Sequence, residues 1–163
     1  IISRGFEKVV LNTISFLDPE IISSISEDLG ASSTVGCIDV KKNFIFDGYK
    51  VFSNCGKKKE KISPQDLAVM YQEYGAGELI INSIHLDGNG MGYDISLIKS
   101  IAQSIDIPLI ISGGAGGLHD FKAAIDAGAS AVSAGDFFVY EGQHKAVLVS
   151  YPDYDHTFKL LNE

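Results

Sequence analysis

Pro108-Leu109-Ile110-Ile111-Ser112-Gly113-Gly114-Ala115-Gly116-Gly117 decides how the chain folds. Three apolar residues after a proline, Leu109 to Ile111, are too few for a helix and read as a buried strand. The strand runs into glycines, and an amphipathic helical pattern follows from Leu118 to Ala127, closed by Gly128. A short apolar run, a polar or glycine-rich junction and a helix form one unit of a parallel sheet. The same pattern recurs on both sides. Lys8-Val9-Val10-Leu11-Asn12-Thr13 is a strand ending in polar residues, and Asp18-Pro19-Glu20 opens a helix with Asp18 as N-cap and Pro19 in the first helical position. Thr34 to Val40 is a second strand, ending at Asp39-Val40. Ser63-Pro64-Gln65-Asp66 opens a helix that ends at Tyr74-Gly75, and Glu78 to Ser83 is a third strand. Asp94 to Ser104 is helical, and Ala131 to Ala134, running into Gly135-Asp136, is a fifth strand.

Three features interrupt the alternation. Asn43-Phe44-Ile45-Phe46, Asp47-Gly48 and Tyr49-Lys50-Val51-Phe52 read as a β-hairpin. Gly56-Lys57-Lys58-Lys59-Glu60-Lys61 is a basic loop, either a solvated surface or a mobile lid near an anionic substrate. Residues 1–151 form the parallel unit and 152–163 a polar tail.

Composition narrows the function. The chain has 163 residues, a formal net charge of −8, 45% hydrophobic and 21% charged residues, which excludes disorder. No apolar run approaches the ~20 residues of a membrane span, and the first residues lack the basic and apolar blocks of a secretory signal. Two cysteines make no disulfide framework, so reduced thiols and a cytoplasmic location are expected. The acidic balance argues against nucleic acid. The four histidines lack metal-ligand spacing, and neither a metal nor another cofactor is expected.

Parallel βα sheets, whether closed barrels or open doubly wound sheets, carry ligands at the C-terminal edge. The residues at that edge are therefore the candidates. Ser112, Gly113 and Gly114, with Gly135 in the next unit, read as a phosphate cradle of backbone N–H groups at helix starts. Asp39 closes an apolar strand, where a carboxylate suits acid/base chemistry or an ion pair with Lys41 or Lys57. Asn12, Thr13, Asn82 and Ser83 end their strands, either binding ligand or capping turns. Asp87-Gly88 is a ligand loop or an ordinary turn. His85 is the one histidine near a strand end.

These motifs, taken in order from Lys8 through Cys37-Ile38-Asp39-Val40-Lys41, Gly75 to Gly88, Gly92-Tyr93-Asp94 and Pro108 to Gly116, strongly resemble the cyclase subunit of imidazole glycerol phosphate synthase. The resemblance runs from residue 1 to about Tyr140. It implies a (βα)8 TIM barrel, of which this chain would supply about five parallel βα units with the hairpin inserted. Such a barrel needs ~250 residues. The first residue is Ile, and nothing matches the family's first strand, so the expectation is the C-terminal five-eighths of a barrel.

The resemblance also implies a function in histidine biosynthesis. A glutaminase partner would release ammonia, and the cyclase would combine it with a phosphoribulosyl-formimino aminoimidazole carboxamide ribotide. The products would be imidazole glycerol phosphate and aminoimidazole carboxamide ribotide. Asp39 matches one of two acid/base aspartates. Asn12 and Thr13 match one phosphate site; Ser112, Gly113, Gly114 and Gly135 match the other, with Asp87, Gly88 and Asn82 beside it. Lys8 and Glu78 match a charged ring that gates ammonia, or else form a structural ion pair. A partial barrel would be nearly inactive alone and would self-associate through its open edges.

There are departures from the family pattern. Asp136 stands where a small hydroxyl residue is usual, Asn82 replaces Thr, and His85 replaces an acidic residue. These fit a divergent branch that helps amidate a sugar in surface-polysaccharide synthesis. A non-catalytic, phosphate-binding half-barrel is the remaining alternative.

Overall fold

The computed structural model describes residues 4–43, 48–142 and 144–162. Five parallel strands carry the fold: β1 (Val9–Leu11), β2 (Thr34–Lys42), β5 (Glu78–Ser83), β6 (Leu109–Ser112) and β7 (Ala131–Ser133), side by side in that order. Two short antiparallel strands, β3 (Tyr49–Ser53) and β4 (Lys58–Lys59), extend the far end of β2 as a flap. The long β2 thus pairs with β1 through its first residues and with β3 through its last. The turn of the expected hairpin, residues 44–47, lies outside the described residues. The basic stretch read as a loop contains β4, hydrogen-bonded to Phe52 and Ser53.

Helices α1 (Ile14–Leu17), α2 (Glu20–Leu29), α3 (Pro64–Glu73), α4 (Ile95–Ala102) and α5 (Leu118–Asp126) follow successive strands. Ser63 caps α3, its Oγ accepting the Asp66 N–H at 3.0 Å, and Asp94 caps α4 through Leu97 N–H at 3.1 Å. Asp18 does not cap α2 with its side chain. It is instead the C-cap of α1, whose extended backbone donates its N–H to the Ile14 carbonyl, and α2 begins two residues later at Glu20 with Pro19 at its N-cap.

One layer of core lies between the strands and these helices. Leu11, Ile38, Val40, Leu79, Ile81, Leu109 and Ile111 alternate along the strands and meet Ile22, Leu67, Tyr71, Leu97, Ile98, Ile101 and Phe121. Each such side chain, fully removed from water, contributes about 2 kcal/mol. Gly36 belongs to this face, because a Cβ there would stand 2.4 Å from the Tyr71 ring. Tyr71 is fully buried, its hydroxyl 2.5 Å from Ser15 Oγ, and burial pushes its pKa up to about 12. Tyr71→Phe is expected to lower stability by about 1–2 kcal/mol, read as a shift in the urea midpoint, because Ser15 keeps its burial and loses a partner.

The other sheet face is lined by the alternate residues. Val10 is 54% exposed there. Among the described residues the sheet does not close on itself. The arrangement is a partial (βα) barrel with its inner wall open.

Within residues 152–163, expected as a polar tail, the chain forms a helix. After α6 (Asp136–Val139), strands β8 (Tyr140–Glu141) and β9 (Ala146–Val147) form a small hairpin, and α7 (Tyr154–Asn162) lies against α5. Tyr151 packs on Phe138 with ring centroids 5.3 Å apart, and Leu161 reaches the core. Among the described residues no helix is long and apolar enough to cross a membrane.

Candidate active site

The alternation that sends Ile38 and Ile81 to the helices sends Cys37, Asp39 and Asn82 to the inner wall. Parallel register then aligns the strand ends into one row: Asp39 beside Asn82, Asn82 beside Ser112, Ser112 beside Ser133. Asp39 is 8% exposed, and Asn82 Nδ2 donates to its Oδ1 at 3.0 Å. Among the described residues neither Lys41 nor Lys57 forms an ion pair with it, so the amide of Asn82 orients this carboxylate.

Asn82 also touches the glycine turn. A Cβ on Gly113 would lie 3.3 Å from Asn82 Oδ1 and 2.7 Å from the Ser83 carbonyl, and Gly113 has φ +87°. Gly114, at φ +117°, donates no room either: a Cβ there would meet the Gly92 carbonyl at 2.2 Å. Only glycine lets this turn pass so close to the β5–α4 loop. The result is a narrow cleft lined by Asp87, Gly88, Ser112, Gly113, Gly114 and Gly135, six residues that the sequence singled out from three separate loops. It adjoins a wider cavity of about 180 Å³ that shares Gly88, Ala115 and Asp136.

Asp136, whose charge would repel an anion there, is paired. Lys145 Nζ lies 3.1 Å from Asp136 Oδ2 and donates to the Gly88 carbonyl at 3.2 Å. Not all the glycine-loop amides face a ligand: Gly116 and Gly117 donate to Asp120 Oδ2 at 2.8 and 2.9 Å.

Asn12 and Thr13 follow β1, across β2 from the glycine cleft. Asn12 Nδ2 lies 3.6 Å from Cys37 Sγ, and Thr13 Oγ1 accepts the Asn54 N–H at 2.9 Å, tying β1 to the flap turn. Burial raises the Cys37 pKa to about 11, so it remains a thiol and is no nucleophile at neutral pH. Strands lie ~4.8 Å apart, so Asn12, just past β1, and Ser112 on β6 are separated by three strand spacings, roughly 14 Å along the arc, with β2 and its Asp39 between them. Lys8 and Glu78 form an ion pair at the other end of the strands. Asn82 lies four positions after Glu78, about 13 Å along the strand.

The profile of the histidine biosynthesis protein family matches residues 1–145. The chain belongs to that family. Among relatives in this histidine biosynthesis family, a Leptospira interrogans protein provisionally named imidazole glycerol phosphate synthase subunit HisF is 44% identical over 154 residues, 94% of this chain and 61% of its own length. A Pseudomonas aeruginosa protein, provisionally named as the same subunit under the label hisF2, is 42% identical over the same shares. The imidazole glycerol phosphate synthase subunit HisF of Petrotoga mobilis is 39% identical over 140 residues, 86% of this chain and 56% of its own. The chain thus spans about three-fifths of the length of these curated relatives.

Two residues of this family member escaped the sequence reading. Ser133 completes the row of strand-end side chains; its place after Ala131-Val132 on β7 was the available signal. Lys145 lies nine positions beyond Asp136 across a hairpin, and no periodicity joins them.

Proposed function

We propose that this chain provides one acid/base group and both phosphate cradles of a cyclase subunit of imidazole glycerol phosphate synthase. Ammonia and the phosphoribulosyl-formimino aminoimidazole carboxamide ribotide would give imidazole glycerol phosphate and aminoimidazole carboxamide ribotide in histidine biosynthesis. The observation that carries the reading is the row Asp39–Asn82–Ser112, which sets a nearly buried carboxylate beside an anion cleft. A substrate with a phosphate at each end is held at Asn12–Thr13 and at Ser112–Gly114 with Gly135, Asp87 and Gly88. Its reacting centre then lies over Asp39. Asn82 holds one carboxylate oxygen, leaving the other to take or give a proton as ring closure proceeds. Two fixed anchors on either side of one acid/base group supply orientation as well as affinity.

A protein containing this chain and the rest of the barrel should form imidazole glycerol phosphate from ammonium and the ribotide. Absence of that product at saturating ammonium refutes the reading. The reading places Lys8 and Glu78 at an ammonia entrance facing a glutaminase subunit. Lys8→Met should therefore depress glutamine-driven turnover and spare ammonium-driven turnover; equal loss of both would make the pair purely structural.

The chain alone, holding one of two acid/base groups, should be nearly inactive, since such groups act as a unit. Its open inner wall and sheet edges favour self-association. Light scattering should return a dimer or larger species, and a monodisperse monomer counts against this.

A second reading, sugar amidation in surface-polysaccharide synthesis, draws on the higher identity to the provisionally named relatives and on Asn82, His85 and Asp136. Polysaccharide genes beside the coding sequence favour it; histidine genes favour the first.

A further inference from the structure

Seven of the thirteen basic residues lie between positions 41 and 61, beside two acidic ones, in a chain of net charge −8. Their placement is more unusual than their number. Lys41 on β2 stands directly opposite Lys50 on β3, and Lys59 on β4 stands directly opposite Phe52. Residues opposite each other in antiparallel strands share a face, with Cβ atoms ~5 Å apart, and like charges so placed repel. The phenyl ring of Phe52 carries the Lys41 ammonium 4.8 Å from its centroid. Lys41, Lys42, Lys50 and Lys59 with Asn43 and Phe52 line a cavity of about 200 Å³. Among the described residues no acidic side chain lines it and none of the four lysines forms an ion pair.

The face is the decisive point. Phe52 is the register partner of Asp39, so the row that begins with Ser133, Ser112, Asn82 and Asp39 continues through Phe52 to Lys59. Lys41 and Lys50 form the next row, two residues or ~7 Å further along the strands. The basic cavity is therefore an extension of the wall that carries Asp39.

We propose that this cavity is a third anion site, taking a phosphate or diphosphate group of a small molecule that lies along the same wall. It is distinct from the glycine cleft on β6–β7 and from the Asn12–Thr13 end of β1. An anion seated among Lys41, Lys50 and Lys59 relieves their mutual repulsion, and the concave shape and continuity with Asp39 favour a small ligand over an acidic protein surface.

The test uses the full chain and inorganic pyrophosphate, followed by amide NMR shifts and titration calorimetry. It reads binding without turnover, so its result is independent of the cyclase reading. Two sets of signals should move, one around Gly113 and one around Phe52 and Lys59, both weakening with added salt. The double variant Lys41→Gln, Lys50→Gln should weaken the second set at least tenfold and leave the first in place. Lys122→Gln on α5 should change neither. Lys59→Gln alone, on a two-residue exposed strand, serves if the double variant loses its circular dichroism signal. Pyrophosphate shifts confined to Gly113, or unchanged affinity at Phe52 in the lysine variants, would overturn the proposal. So would lysine variants that lose binding to an acidic protein but not to pyrophosphate.

Discussion

Asp39→Asn should reduce ammonium-driven turnover by about 10²- to 10⁴-fold in a protein that contains this chain within a whole barrel, the range spanned by single general acid/base groups. The substitution conserves shape, so β2 and its pairing should be retained. Asn82 Nδ2 already donates to Oδ1 of residue 39, and an asparagine carbonyl oxygen accepts that same bond. What disappears is the capacity to carry a proton. The effect should therefore fall on kcat, with KM changed little, because the phosphate anchors lie on other strands. Asn82→Ala separates holding from proton transfer. It leaves the Asp39 carboxylate in place but unrestrained, and should cost less than Asp39→Asn. Steady-state rates with saturating ammonium decide the matter. Normal turnover by Asp39→Asn removes Asp39 from the mechanism, and a larger loss in Asn82→Ala would transfer the principal role to the amide.

How far the sequence disclosed this site depends on which physical signal each residue leaves. Ile38, Ile81 and Ile111 lie in near-continuous apolar runs, because a parallel sheet with helices on it must bury them, and such runs mark strands unambiguously when glycines and helical patterns follow. Asp39 and Asn82 break those runs at the strand ends, which made them visible as candidates. Their hydrogen bond follows from register, and register is invisible in one strand alone. Asp18 shows the opposite limit. An aspartate before Pro-Glu is a good N-cap by local rules, but the preceding turn α1 takes it as C-cap and the side chain is not used. The aromatic residues after Tyr140 were legible as composition and not as packing, since Tyr151 meets Phe138 through tertiary contact. The stretch Lys57 to Lys61 carries only the signature of a charged loop, because β4 is two residues long, too short to leave an alternation.

Gly114→Ala should be the most destabilising single methyl in the chain's functional half. Gly114 has φ +117°, outside the left-handed region that non-glycine residues visit, and forcing alanine there costs about 1–3 kcal/mol. The new Cβ would also stand 2.2 Å from the Gly92 carbonyl, and Gly92 in turn donates its N–H to the Gly114 carbonyl at 2.7 Å. Backbone on both sides leaves no flexible side chain to yield, so the β6–α5 and β5–α4 loops must separate. Overpacking of this kind adds about 1–3 kcal/mol. The sum, roughly 4 kcal/mol, corresponds to a fall in Tm of about 8–16 °C for a domain of this size. Separation of the loops also moves Gly88 away from Gly113 and Gly135, so phosphate affinity at the cleft should fall with stability. Gly135→Ala provides the contrast: nothing lies within 4 Å of its Cβ position, and its φ of −103° suits alanine. That variant should keep its Tm within about 1 °C, consistent with the small effect of an unstrained surface change. A Gly114→Ala protein as stable as Gly135→Ala would show that the two loops do not meet as described, and the cleft built from them would fall with that contact.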